Sequence, residues 1–168
     1  MMIPLGIVIG SPVLGWLSDR VFVARKPIIV GSALIHLLVW GPLAFWTGKL
    51  NEPLLYLLSF MIGTFGSGPS MVALAANKEL FPKQIAGTSV GLMNVVPFLG
   101  AGLIPPLMGY VMDKVGRVFG AYPVIAYKDA FCLCFILAGI AFLGICFMKE
   151  TLENRGGREE ISVEKIPG

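Results

Sequence analysis

From Gly87 to Met112 the sequence reads GTSVGLMNVVPFLGAGLIPPLMGYVM, without one Asp, Glu, Lys or Arg. This stretch is longer than the roughly 20 residues that carry a helix across about 30 Å of hydrocarbon. Two further blocks, Pro27–Gly48 and Pro53–Asn77, are equally free of charge. In lipid a backbone must satisfy its own hydrogen bonds, so uncharged segments of this length form helices. Membrane strands would be about 10 residues long with alternating polarity, and no such alternation is present. Composition agrees: 56% of the 168 residues are hydrophobic and 14% charged, against about 25% charge in soluble domains. The mean hydropathy is +0.81. The fold class that follows is an all-α integral membrane protein with the lipid bilayer as its first partner.

Five spans are predicted, at residues 3–18, 27–46, 53–76, 87–112 and 129–148, within a bundle over 1–148. The first is short, about 24 Å at 1.5 Å per residue, and it begins as if a longer helix had been cut. Basic residues alternate in density along the connections. Arg20, Arg25, Lys26, Lys78, Lys83, Lys149, Arg155, Arg158 and Lys165 fall on one side, against Lys49, Lys114, Arg117 and Lys128 on the other. The positive-inside rule places the richer side in the cytoplasm. The polar tail at 149–168 is expected there, in the cell (inner) membrane's cytoplasmic space, without fixed structure. Trp46, Tyr56, Phe119, Tyr122 and Tyr127 fall where interfacial rings prefer to sit.

Several function classes lose support. The net charge of +3 is too small for a nucleic-acid partner. Cys132, Cys134 and Cys146 share one apolar stretch, where thiols act as small hydrophobes. They lack the spacing and partners of a zinc site, so no metal and no cofactor is expected. A single His, no phosphate-cradling loop and no paired carboxylates within a span argue against an enzyme. Met1–Gly15 has neither the basic start nor the cleavage site of a signal peptide.

The most informative short motif is Gly15-Trp16-Leu17-Ser18-Asp19-Arg20, followed by Arg25-Lys26-Pro27. Gly15 is expected to allow close helix packing, and Asp19 to cap a helix N-terminus or pair with a cation there. Arg20, Arg25 and Lys26 hold the loop in the cytoplasm. This arrangement resembles the cytoplasmic signature loop of the major facilitator superfamily, which joins helices two and three and recurs between helices eight and nine. The match is partial, since Phe22-Val23-Ala24 stands where the family usually has a Gly. Glu79-Leu80-Phe81-Pro82 with Ala86–Asn94 resembles the family's entry to helix eleven, and Pro105–Gly116 resembles that helix's exit. Tyr127–Phe131, leading to Lys149-Glu150-Thr151, is similar to helix twelve. The resemblance implies helices eight to twelve. Helices two to six are the alternative register, disfavoured because the third span has no Arg and a short tail follows the fifth.

Within the spans, His36 reads as a neutral side chain bonded to a neighbouring helix rather than a group on a substrate path. Gly63, Thr64, Gly66, Ser67, Gly68, Pro69 and Ser70 form a small, hydroxyl-bearing run that lets a helix bend. The resemblance implies that this span lines a cavity, so Thr64, Ser67 and Ser70 are candidate cavity or gate residues, with plain packing weighed evenly against that. Asn94 is a further gate candidate or a packing hydrogen bond. Pro97, Pro105 and Pro106 are expected to break or bend the fourth span. Gly87-x-x-x-Gly91 and Gly100-x-Gly102 are expected at close contacts. The reading that follows from the resemblance is a partial major-facilitator bundle from a secondary transporter that moves a small-molecule solute by alternating access. It would need the missing N-terminal half or another copy. A small non-transporting membrane protein, acting as packing partner or remnant, is the alternative.

Overall fold

The computed structural model describes residues 1–21, 24–82 and 84–148, with the side chains of Glu79 and Leu80 left aside. The expected polar tail lies outside the described residues. The described residues form six α-helices: α1 (Met2–Trp16), α2 (Lys26–Trp46), α3 (Glu52–Ile62), α4 (Ser70–Leu80), α5 (Ala86–Val115) and α6 (Val124–Cys146). Short π-helical segments at Leu17–Val21 and Gly63–Ser67 extend α1 and join α3 to α4. Among the described residues, five continuous stretches are thus long and apolar enough to cross a membrane: Met2–Val21, Lys26–Lys49, Glu52–Lys78, Ala86–Val115 and Val124–Cys146. The chain is an all-α membrane bundle.

Local chemistry explains the ends of these helices. Pro27 opens the first turn of α2, where its missing N–H is no loss. Asn51 caps α3, its side-chain oxygen accepting from the Leu54 N–H at 3.1 Å, which satisfies one of the orphan donors of a helix start. Gly116, with φ +83°, terminates α5, and Pro123 stands at the cap of α6. The first span has 20 residues, about 30 Å, because α1 continues through its π-helical turn past Ser18. The fifth span, α6, begins at Val124, five residues before residue 129, where the sequence reading started it. Lys128 and Asp129 sit inside its early turns.

Two apolar clusters hold the bundle. Leu14, Ile28, Ile29 and Val72 bring α1, α2 and α4 together, with Ile145 of α6 against them. Val39, Leu43 and Leu58 join α2 to α3, with Phe131 of α6. The broadest helix pairing is α2 with α6, where Phe45 and Phe135 meet edge to face at 5.5 Å between centroids. By contrast α5 has no buried residue along its 30 positions. Its Leu92, Val96, Phe98 and Leu103 are exposed, a face suited to lipid or to another protein. Of the two expectations for the fourth span, broken or bent, the first is not met: three prolines lie within α5, yet it runs as one helix. The departures from α geometry fall instead at the end of the first span, Leu17–Val21, and in the middle of the third, Gly63–Ser67.

The close backbone approach also falls elsewhere than the sequence reading placed it. A Cβ at Gly87, Gly91 or Gly102 would meet no atom within 4 Å, and one at Gly100 would touch only Ile104. The tight seam is Gly6-x-x-x-Gly10 of α1 against the third span. A Cβ on Gly6 would strike the Phe60 carbonyl, one on Gly10 would lie 2.8 Å from Thr64 Cα, and one on Gly63 would strike the Ile3 carbonyl. Small residues on both sides let the two backbones touch, which is how membrane helices gain packing without a hydrophobic driving force.

Candidate functional site

The loop between α1 and α2 is organised around a buried serine. Ser18 has no exposed surface. Its hydroxyl donates to the Ala24 carbonyl at 3.0 Å and accepts from Arg25 Nη1 at 3.2 Å. The same Nη1 forms an ion pair with the Asp19 carboxylate. Arg25 is the cap residue of α2 and only 8% exposed, whereas the Asp19 side chain is 58% exposed. A buried guanidinium needs such partners, because removing its charge from water is costly. Asp19 therefore pairs with a cation at a helix start, the second of the two options read from sequence. The arrangement ties the last turn of α1 to the first turn of α2.

The other loop residues are placed differently. Arg20 is exposed and Lys26, at the start of α2, is half-buried. No atom lies within 4 Å of a Cβ at Gly15, so Gly15 does not supply the close packing expected of it; Gly6, Gly10 and Gly63 do. Ser18 lies inside the motif but was not singled out by the sequence reading. A hydroxyl between apolar neighbours and two residues of opposite charge was the signal available.

The candidate cavity residues are not gathered into one place. The Thr64 hydroxyl donates to the Gly6 carbonyl at 3.2 Å, which makes it part of the seam between the first and third spans. Ser67 and Ser70 are exposed. Asn94 is exposed on α5, where it shares a shallow recess of about 390 Å³ with Gly91, Val95, Phe98 and Leu99. Where α4 approaches α5, the Asn77 amide donates to Ser89 Oγ at 3.2 Å. His36 finds its partner on its own helix rather than on a neighbour: the Trp40 indole N–H donates to His36 Nε2 at 3.0 Å.

At the opposite end of the bundle from the charged loop, residues 116–123 form a small turn. Val118 and Ala121 bond each other's backbone, and Phe119 and Gly120 both take positive φ, as a tight hairpin turn requires. Tyr122 donates to the Asp113 carboxylate and accepts from Arg117 Nη2. The hydrogen bond to the Tyr122 hydroxyl raises the Arg117 pKa above its ordinary value. Among the described residues, no group of three or more His, Cys, Asp or Glu is placed to hold a metal ion.

An all-α bundle of five membrane-length helices, with a charged turn joining the first to the second, defines a polytopic membrane protein. A model of the Major Facilitator Superfamily matches residues 1–165, and the chain belongs to that superfamily. Among curated proteins it is 26% identical over 144 residues to a D-galactonate transporter of Escherichia coli O6:H1, covering 81% of this chain and 31% of the relative. It is 32% identical over 142 residues to a probable hexose phosphate transport protein of Chlamydia pneumoniae, covering 83% and 29%. A membrane sensor protein of Escherichia coli K12 is 33% identical over 114 residues, covering 67% and 26%. The chain therefore spans less than a third of the length of these relatives. No solved structure matches it significantly.

Proposed function

We propose that this chain forms helices eight to twelve of a secondary active transporter that moves a small organic anion by alternating access. The observation that carries the reading is the buried Ser18–Arg25–Asp19 arrangement at the turn between two spans, within a chain matched to the superfamily over residues 1–165. In this reading the lock is made in one state of the rocking bundle and broken in the other. The absence of Arg from the third span favours the second half of the repeat over the first. The positive-inside count puts the charged loop and the C-terminus in the cytoplasm, in the cell membrane. The solute class comes from the relatives named for D-galactonate and hexose phosphate, both anions.

No Lys or Arg lies within the three charge-free blocks, so the cation that would balance an anionic solute belongs to the rest of the transporter. In this arrangement Ser67, Ser70 and Asn94 contribute hydroxyl and amide contacts, while Thr64 holds the packing seam. Counterflow uptake of labelled D-galactonate and glucose 6-phosphate by a transporter carrying this chain as its second half tests the reading. Saturable uptake of either, competed by the other anion, is expected. Uptake only of uncharged sugars would overturn the anion assignment.

The sensor-named relative favours a second reading, in which the chain serves a membrane protein that binds solute without moving it. Saturable binding to the same protein with no counterflow would select it.

A further inference from the structure

One side of α1 packs into the bundle and the other does not. Gly6, Gly10 and Leu14 turn inward and are buried. Leu5, Ile9, Val13 and Trp16 are exposed, and their spacing of four, four and three residues aligns them along the opposite side of the helix. Arg20 follows four residues after Trp16, in the π-helical turn Leu17–Val21, and it too is exposed. The stripe is therefore apolar along its length and closes on an aromatic ring and a cation.

The charges at that end are unevenly paired. The Asp19 carboxylate is held by Arg25, so those two charges balance and the charge of Arg20 stands beside a neutral pair. The dimensions of the stripe fit one lipid monolayer. From Leu5 to Trp16 the helix rises about 16 Å, close to half of the roughly 30 Å of hydrocarbon in a bilayer. Trp rings favour the level where hydrocarbon meets headgroups. With Trp16 at that level, Arg20 lies one turn further out, and its flexible stem lets the guanidinium reach the phosphates. A guanidinium binds phosphate oxygens through two parallel N–H bonds.

We propose that this face of α1 binds an acidic phospholipid, with one acyl chain along Leu5, Ile9 and Val13 and the phosphate on Arg20. Charge complementarity selects the lipid class. A zwitterionic lipid carries its own cation beside the phosphate, whereas phosphatidylglycerol leaves its phosphate charge to Arg20. The choice of leaflet rests on the proposed orientation, in which this end of α1 meets the acidic cytoplasmic leaflet. The chemistry of the site is the same in either orientation.

Trp16 reports on its own surroundings. With Trp40→Phe and Trp46→Phe it is the one remaining tryptophan of three. The full chain is placed in bilayers of phosphatidylglycerol and phosphatidylcholine, one of the two carrying brominated chains. Both leaflets have the same composition, so an inverted orientation would not change the result. Brominated phosphatidylglycerol should quench Trp16 as if bound about fivefold more tightly, the factor that one arginine near an acidic surface is worth. Arg20→Gln should bring the ratio to about one. Lys78→Gln, which removes an exposed cation of α4, should leave it unchanged. Equal quenching by the two lipids would overturn the proposal, and equal loss in both variants would show diffuse attraction instead of a site. Quenching by neither lipid would mean that protein, a second copy of the chain included, covers the stripe, which also overturns it. A second measurement needs no tryptophan replacement. Native mass spectrometry of the unmodified chain, released from nanodiscs with equal amounts of both lipids, should show phosphatidylglycerol retained in excess. Arg20→Gln should lose that excess, and no excess in the unmodified chain would contradict the proposal.

Discussion

At the residue scale, the charged loop separates two roles that sequence alone merges. Asp19 is largely exposed, so its ion pair with Arg25 should add about 1 kcal/mol or less to stability. Asp19→Asn is therefore expected to leave the protein folded and outward solute binding intact, while slowing turnover in the complete transporter. Rate and affinity measured on the same variant check this, and a loss of affinity with turnover preserved would contradict it. Ser18 carries the structural load instead. Ser18→Ala leaves the Ala24 carbonyl and one guanidinium bond of Arg25 short in the α1–α2 turn, and should cost about 1–3 kcal/mol. Thermal unfolding of the purified variant in detergent reads that loss directly. The motif's charged residues were legible because charge is rare in this chain. Ser18 was not, because a hydroxyl beside a membrane helix is common and only burial distinguishes it.

At the element scale, the helices were legible and their mutual contacts were not. Absence of charge over a long block reports the solvent a segment faces, so three of the five membrane-length helices follow from Gly87–Met112, Pro53–Asn77 and Pro27–Gly48, and the other two from the apolar stretches 3–18 and 129–148. The exact start of α6 did not follow, since Lys128 and Asp129 mark an interface but do not stop a helix that Pro123 has opened. Small-residue pairs are still less specific. Gly6-x-x-x-Gly10 and Gly87-x-x-x-Gly91 have the same spacing, yet only the first meets another backbone, at Gly63 and Phe60. Which pair packs depends on the partner helix, and spacing carries no information about that. Gly6→Ala and Gly63→Ala should each destabilise the bundle by about 1–3 kcal/mol through overpacking. Gly87→Ala and Gly91→Ala, with open space at both positions, should leave unfolding within about 0.5 kcal/mol of the parent. Equal effects at the two pairs would show that the seam between the first and third spans is misplaced.

At the scale of the whole molecule, the bundle is uneven. The α2–α6 pairing and the α1 seam are tightly packed, whereas α5 offers its apolar length and Asn94 outward. Orientation is the first property to measure. The positive-inside count predicts that the 116–123 turn faces outward, so a cysteine at the exposed Ala121, in a background lacking Cys132, Cys134 and Cys146, should react with an impermeant maleimide in intact cells. Reaction only after permeabilisation would invert the topology.

The central claim is that this chain supplies part of a transport path whose opposing wall it does not contain. Polar groups such as Asn94, Ser67 and Ser70 then wait for a protein partner, since lipid offers them nothing to bond. Reconstitution of the purified chain in liposomes, with labelled D-galactonate and glucose 6-phosphate outside, measures this directly. The account predicts uptake no greater than in empty liposomes at every concentration. Uptake that saturates with solute would contradict it, and would make two or more copies of this chain a working transporter.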